Sequence, residues 1–432
     1  MSFVGIALIV LLSSSNGVDG FQATAGPRLS TFLTSSNKVK SHTSSTALNE
    51  NPFYSIETNN DGPAGGEVHR LTIHNLPGQK EDDENENPIV IESGKIGRQA
   101  SGAVTLKRGD TFLYATASCD SSPKEGLDFL PLSVDHQERF SSVGLTSGGY
   151  NKRDGRPAEH EILTCRLIDR PIRPLVAEGW RHETQLLSWV MSYDGKRSAD
   201  PLAIVASSTA LFLSEVPLTK AVAAAMVGYD EETDTFLLNP TIEEMKKSPL
   251  QLIVAGTKDA VLMVEGAADF MSEENMVRAV TFGYQALAVI CEAVEEFASI
   301  AGKEKNFETL KKAPEELQDI VNELMTGKVD KAYALGGTKT TQGPVMSQLR
   351  KDLVEILTNG DREYEVGDIK TAFKDLLCRR MFVRARETGQ RCDGRALDEI
   401  RHLTMETGFL PKTHGSALFT RGETQAIATT VS

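Results

Sequence analysis

The chain has 432 residues, with 46 Lys and Arg against 60 Asp and Glu, and its formal net charge is −14. Its composition, 40% hydrophobic and 25% charged, excludes a wholly disordered chain and a coiled coil. Five cysteines without a CxxC pair argue against a zinc module or a disulfide scaffold. The length predicts roughly two to three domains. Averaged over the chain, the acidic charge argues against nucleic-acid binding, which depends on Lys and Arg.

The first 50 residues predict a targeting leader. Phe3 to Leu12 is an apolar run that is too short for a bilayer span of about 20 residues, but it fits a signal peptide over residues 1–20. Residues 21–50 are rich in Ser and Thr and poor in acids, which is typical of a transit peptide. Together they favour an organelle, above all a plastid, over a mitochondrion or secretion; a secretory signal with a linker is the alternative. We expect no other membrane-spanning stretch and no membrane partner.

Residues 51–87 are predicted to be a linker, because they include NNDGPAGG and the acidic run KEDDENEN. From 88 to 303 the pattern predicts an α+β domain, in which Arg108-Gly109-Asp110 turns a β-hairpin. Its predicted strands are 103–106, 111–117, 186–192, 235–238, 250–256 and 260–265, and its predicted helices are 201–213 and 272–298.

A different pattern follows over residues 304–386. Helical periodicity over 307–333, 345–357 and 367–386 predicts an all-helical domain. The glycine-containing stretch from Gly336 to Pro344 is predicted to be a loop between the first two helices.

The beginning of the α+β domain recurs near the end of the chain. GAVTLKRGDT, from Gly102, aligns with GSALFTRGET, from Gly415, at an offset of 313 residues. The whole turn Arg-Gly-acid-Thr is shared, which predicts a duplicated domain interrupted by the helical segment. Residues 387–432 would be the start of the second copy, and we expect this copy to be incomplete at Ser432.

The residues best suited to chemistry lie between Gly148 and Arg173. A glycine-flanked loop carries Tyr150, Lys152, Arg153 and Arg156, whose bases can hold phosphates while the ring stacks on a nucleobase. Pro157 is predicted to open a helix that ends before Pro171 and turns Ile162, Leu163 and Leu167 toward the core. Further guanidiniums follow on this helix, at Arg166 and Arg170, and just after it, at Arg173. Either these arginines bind RNA, or with Asp169 they form a buried ion-pair network.

The run from Gly148 to Trp180, with GRPAEHEILTCRLIDRPIR, closely resembles polynucleotide phosphorylase, and so does Arg391 to Ser432. The resemblance implies a ribonuclease-PH-like core of the ribosomal protein S5 domain 2-like fold, a helical domain and a second such core. It further implies a homotrimeric ring that binds single-stranded RNA. The implied activity is reversible 3′-to-5′ phosphorolysis, with inorganic phosphate as co-substrate and Mg²⁺ or Mn²⁺ as cofactor.

The resemblance places the RNA-gripping loop at Tyr150, Asn151, Lys152 and Arg153, where Asn151 replaces an aromatic residue. It places the catalytic centre and the metal ligands after Ser432, so no catalytic residue is expected in this chain. The alternative is a non-catalytic RNA-binding or ring-scaffold subunit; a stand-alone ribonuclease PH is disfavoured by the repeat. We assign no catalytic or metal-binding role to several other polar residues: Asp128, Asp135, Glu138, His136, His160, His414, Ser188, Ser207, Ser208, and the turns at Asp393 to Arg395 and Arg421 to Glu423.

Overall fold

The computed structural model describes residues 49–50, 52–60, 62, 66–79, 87–124, 127, 129–148, 150, 155–358 and 364–431. Of the predicted leader over residues 1–50, residues 1–48 lie outside the described residues, as does most of the acidic run, whereas Asn49–Glu50 form a short strand. The chain divides into two compact units, of which the first comprises Met1–Pro123 and Leu130–Leu310. The second comprises Lys124–Phe129 and Lys311–Ser432, so the predicted helical domain and the predicted second copy lie in one unit.

The first unit is built on an eight-stranded sheet with strand order β1-β2-β3-β4-β5-β6-β8-β7. Neighbouring strands are antiparallel except for β7 and β8, which are parallel. The strands are β1 Asn49–Glu50, β2 Tyr54–Asn59, β3 Val68–Ile73, β4 Ile89–Ser93, β5 Gly102–Arg108, β6 Thr111–Cys119, β7 Leu132–Glu138 and β8 Thr184–Ser192.

The linker predicted over residues 51–87 is wrong where the structure describes it. β2 and β3 form an antiparallel pair inside the large sheet, and Ile56 and Leu71 are fully buried. NNDGPAGG therefore begins at the last residue of β2 and precedes β3 in the chain, and part of it lies outside the described residues. The alternation of apolar and polar residues in YSIETN and VHRLTI was the signal for two half-buried strands.

A second, four-stranded sheet completes the first unit, with order β10-β9-β11-β12. Its strands are β9 Ala223–Asp230, β10 Thr235–Leu238, β11 Leu250–Gly256 and β12 Val261–Ala268. Four helices accompany the two sheets: α1 Glu159–Ile172, α2 Asp200–Leu213, α3 Ile242–Lys247 and α4 Glu273–Ala301. α2 packs against β5, β6 and β8 of the large sheet and against β9 of the small one. Twelve of its fourteen residues are buried, because it has a sheet on either side.

α4 packs on β9 and β11 and also contacts β3. By length and composition it is the one helix in the described part of the chain that could cross a membrane. The prediction that no further stretch is long and apolar enough to span a membrane is therefore wrong. Its inner face, including Ala286, Ile290 and Val294, is buried in the core. The core helix of a globular domain passes the same test of composition, so this is weak support for a membrane span.

In the second unit, α5 Glu315–Ala334, α6 Lys339–Thr358 and α7 Val366–Thr388 enclose a separate apolar core that includes Leu317, Val321, Leu353 and Phe373. The predicted loop from Gly336 to Pro344 is wrong after Thr338, where α6 already begins. Pro344 lies inside α6 and has no amide to bond to the carbonyl of Thr340, so the helix continues without that hydrogen bond.

The second unit also contains a three-stranded antiparallel sheet of β13 Leu403–Thr407, β14 Gly415–Arg421 and β15 Thr424–Thr430. β14 and β15 pair Gly415 with Thr430 and Arg421 with Thr424. β5 and β6 pair Gly102 with Ala117 and Arg108 with Thr111, which is the same register at the same offset. The predicted repeat is therefore present as a repeated hairpin.

Candidate nucleic-acid interface

Helix α1 carries Arg166 and Arg170 and is flanked by Arg156 and Arg173, and its buried residues determine which way the first two face. Ile168 and Ile172 are fully buried, while Thr164 is held by its hydroxyl, which donates to the Asp200 carboxylate at 2.9 Å. α1 begins at Glu159, after Pro157, and runs through Pro171 to Ile172. The prediction that it ends before Pro171 is wrong, because a proline in the last turn costs only one backbone hydrogen bond.

The predicted inner face of α1 is also wrong in part. Ile162 and Leu163 are 52% and 56% exposed, and Leu167 is partly buried. The buried side instead follows Glu161, Thr164, Ile168 and Ile172. Glu161 and Thr164 can lie on this buried side because both are hydrogen-bonded. The spacing of apolar residues could not predict them, since it does not detect polar residues that face inward.

A cleft of about 930 Å³ opens beside α1. It lies between α1, the segment after β7, the start of α2, and strands β11 and β12. Its lining includes the cationic residues Arg139, Arg156, Arg166 and Arg170, the carboxylates Glu138, Glu161, Asp200 and Glu265, and apolar residues such as Phe140, Val143, Leu163 and Ile253.

The predicted arginines fall into two groups. Arg156 and Arg166 are exposed, and within the described residues the structure gives them no hydrogen bond or ion pair. Arg170 lies 3.8 Å from Glu265 across the cleft, a long and partly exposed ion pair. The three side chains therefore retain free donors toward the open volume, as RNA binding requires.

Arg173 serves the fold instead. It lies 2.6 Å from the Asp169 carboxylate, and it donates to the carbonyl oxygens of Leu130 at 3.0 Å and Leu132 at 2.9 Å. Its guanidinium ties the end of α1 to the start of β7. The structure therefore gives Arg173 the Asp169 ion pair of the alternative interpretation, while RNA binding by this residue stays a prediction.

The loop residues have different outcomes. The ring of Tyr150 is fully exposed, so a nucleobase could reach it. Lys152 and Arg153, like Asn151 between them and Tyr150, lie outside the described residues.

The sequence reasoning missed Arg139, which also lines the cleft. Its guanidinium lies over the ring of Trp189, 4.4 Å from the ring centroid. The sequence does show a basic residue directly after β7. Only the pairing of β7 with β8 in the sheet, however, brings Trp189 next to this residue.

The carboxylates of the cleft do not fit a divalent cation. Asp200 accepts hydrogen bonds from the hydroxyls of Thr164 and Ser198, and Glu161 accepts two backbone amides. No cluster of three or more His, Cys, Asp or Glu side chains suited to a metal occurs in the described part of the chain. No metal-dependent step is therefore assigned to this cleft.

Several of the polar residues without an assigned role have local partners. Burial lowers the pKa of His136, whose Nδ1 lies 3.1 Å from the Ser188 hydroxyl. His160 Nε2 lies 3.1 Å from Glu138, at the surface. The Ser208 hydroxyl accepts the amide of Val222.

Comparison with known proteins first defines the class. Residues 86–217 match domain 1 of the 3′ exoribonuclease family and residues 220–286 match its domain 2. The first unit is thus a ribonuclease-PH-like core, as predicted. The rice (Oryza sativa) protein Rrp46 has a crystal structure that covers 51% of this chain and 99% of its own, with 17% identity and a TM-score of 0.40.

Curated relatives show a more specific similarity within this class. A polyribonucleotide nucleotidyltransferase of Chlamydia muridarum is 43% identical over 345 residues, which cover 80% of this chain and 49% of the relative. The enzyme of the same name from Protochlamydia amoebophila is 43% identical over 342 residues, or 79% and 49% of the two chains. The predicted resemblance to polynucleotide phosphorylase is confirmed. The chain spans about half the length of these relatives.

Proposed function

We propose that this chain supplies the RNA-binding first core of a phosphate-dependent 3′-to-5′ exoribonuclease that releases nucleoside diphosphates. The observation that carries the proposal is the cleft beside α1, where Arg156, Arg166 and Arg170 border open volume. The confirmed resemblance to polyribonucleotide nucleotidyltransferases supports the reaction class.

The chemistry of the cleft suits a single strand. Guanidiniums hold phosphate oxygens in bidentate fashion and keep their charge at every physiological pH. The exposed ring of Tyr150 offers a stacking surface, and Leu163 adds apolar surface inside the cleft. These contacts are independent of base identity, as an exoribonuclease of broad sequence range requires.

The central experiment measures binding of an oligo(A) strand to Arg166→Ala with Arg170→Ala. We expect affinity to fall about tenfold and the salt slope to shrink by about 1.4, since each of the two lost phosphate contacts on a single strand contributes about 0.7 to the slope. Lys246→Ala is the control, because Lys246 is an exposed base that pairs with Glu243 away from this cleft. An unchanged slope in the double variant would contradict the proposal.

We also propose that the 432-residue chain does not by itself phosphorolyse RNA, since the resemblance assigns the catalytic residues and the Mg²⁺ or Mn²⁺ ligands to a second core after Ser432. The test is incubation with poly(A), inorganic phosphate and Mg²⁺: we expect no nucleoside diphosphate, and clear release would overturn this assignment. Persistent RNA binding without turnover would also fit a non-catalytic ring subunit.

Two further proposals concern assembly and location. The resemblance leads us to propose a homotrimer, which light scattering of the purified protein would test by its mass.

The composition of residues 1–50 leads us to propose import into a plastid. A fluorescent protein fused behind these residues should accumulate there in an alga with complex plastids, and secretion of the fusion would refute the proposal.

A further inference from the structure

The segment that carries the proposed RNA-binding loop leaves β7 at Glu138 and returns at Ala158, directly before α1. Between these ends lie Tyr150 and Arg156, together with Arg139, which directly follows Glu138 and has no predicted role. The placement of Arg139 and Arg156, one near each end, depends on how firmly Glu138 and Ala158 are held.

One side chain holds both ends. The Glu161 carboxylate, with 8% of the residue exposed, accepts the backbone amide of Glu138 on Oε1 at 2.7 Å. Its other oxygen, Oε2, accepts the backbone amide of Ala158. The first bond comes from the end of β7 and the second closes the first turn of α1, so a single carboxylate bridges the base of the loop.

The chemistry makes this bridge strong. Hydrogen bonds from amides to a carboxylate are charge-assisted, and Glu161 lies in the first helical turn, where the helix dipole favours negative charge. Loss of the carboxylate would leave two amides unpaired in a mostly buried place, which is costlier than the loss of a surface bond.

The bridge also reaches the cleft. Glu138 precedes Arg139, whose guanidinium lies over Trp189, and Ala158 is two residues from Arg156. Both arginines line the cleft, one next to each held end. A displacement of either end would therefore move a cation of the proposed RNA site.

We propose that Glu161 is a positioning residue that ties the end of β7 to the start of α1 and thereby sets the placement of Arg139 and Arg156. The proposal rests on the proposed function for its effect on RNA, but its structural part can be tested independently.

The test compares Glu161→Gln with Glu159→Gln in the full chain. Glutamine has one acceptor oxygen, so it can keep at most one of the two amide bonds. Glu159 lies in the same turn but is exposed, which makes it the matched control. Hydrogen exchange of peptides that cover residues 136–162 and the affinity for oligo(A) are measured for both variants and the wild type.

We expect Glu161→Gln to speed exchange at the amides of Glu138 and Ala158 about tenfold and to weaken RNA binding about five- to tenfold, corresponding to about 1 to 1.4 kcal/mol of binding free energy. Exchange in β9 and β11, measured in the same samples, should stay unchanged if the fold is intact. Glu161→Asp, which keeps the charge on a shorter side chain, should recover part of the affinity.

Unchanged exchange at both amides in Glu161→Gln would overturn the proposal, as would equal losses of RNA affinity in Glu161→Gln and Glu159→Gln. If the Arg166 and Arg170 double variant binds RNA like the wild type, the proposed function fails. In that case, the exchange data still decide whether Glu161 holds the end of β7 and the start of α1 together.

Discussion

The same hairpin occurs twice in this chain, in surroundings that differ completely. In the first copy, β5 and β6 lie in the middle of an eight-stranded sheet under α2, and Leu106 and Leu113 are fully buried. In the second, β14 and β15 form one side of a three-stranded sheet in which Phe419 is 39% and Ile427 58% exposed.

Turn and register are nevertheless shared. Gly109 and Gly422 both have positive φ, at 58° and 63°, as the first position of this two-residue turn requires. Hairpin geometry thus follows from local sequence, while the stability of each copy depends on what packs around it. The following predictions test that distinction, from the largest effect to the smallest.

The largest contrast concerns equivalent core positions. Leu106→Ala should destabilise the first hairpin by about 2–5 kcal/mol, because it leaves a cavity in a closed core. Phe419→Ala, at the matching position, should cost less than about 1 kcal/mol, since its ring is already partly in water. Hydrogen exchange within each hairpin measures both. Similar losses of stability at the two positions would show that the residues packed around each hairpin do not determine how stable it is.

An intermediate contrast concerns the two turn glycines. An alanine at either position must adopt a left-handed conformation that costs about 1–2 kcal/mol. At Gly109 its Cβ would also lie only 3.0 Å from Asn87 Oδ1 and 3.1 Å from Asp194 Oδ2, whereas at Gly422 the nearest atom is 3.4 Å away. Gly109→Ala should therefore be the more damaging change in urea unfolding; the reverse order would contradict this reading of the turns.

The smallest effect is a pH dependence confined to the second copy. Hydrogen bonds from Thr338 and then Thr340 lower the pKa of Glu423, which lies in the second turn. Because the pKa of Glu423 is lower in the folded state, its ionised carboxylate stabilises the fold at pH values above the pKa of the unfolded chain. This stabilisation is lost as the pH falls through the pKa of the folded state. The protection factors of the amides in β14 and β15, corrected for the intrinsic exchange rate at each pH, should therefore fall below about pH 4.3.

Glu423→Gln should flatten this acid dependence, and Asp110→Asn, at the equivalent place in the first turn, is the matched control. The same acid sensitivity in Glu423→Gln and the wild type would assign the effect to other carboxylates.

Much of the fold was predictable. The hairpin turns, the strands 235–238 and 250–256, and the two long helices of the first unit follow from turn residues and periodicity. β2 and β3 were missed because glycines and acids beside them dominated the composition. β9 was missed because its residues AAAMVGYD include three alanines, which have little strand preference.

The site was predictable in its residue types but not in its orientation. Arg166 and Arg170 were found from their helical spacing, and the structure brings both to the cleft. Arg173 has the same residue type and a similar place on the helix, yet it binds Asp169 and two carbonyl oxygens of the segment before β7 and at its start. Only packing distinguishes a guanidinium left free for phosphate from one that is used by the fold.

The amino-acid sequence alone therefore determined what depends on neighbours in the chain: the repeated turn, the helical segments and the basic stretch in an acidic protein. Only the tertiary structure decided what depends on distant segments. It showed that Glu161 bridges Glu138 and Ala158, that Arg139 lies over Trp189, and that one hairpin is buried while its copy is not. The physical reason is that burial and hydrogen-bond partners are properties of assembled layers, which local propensity does not contain.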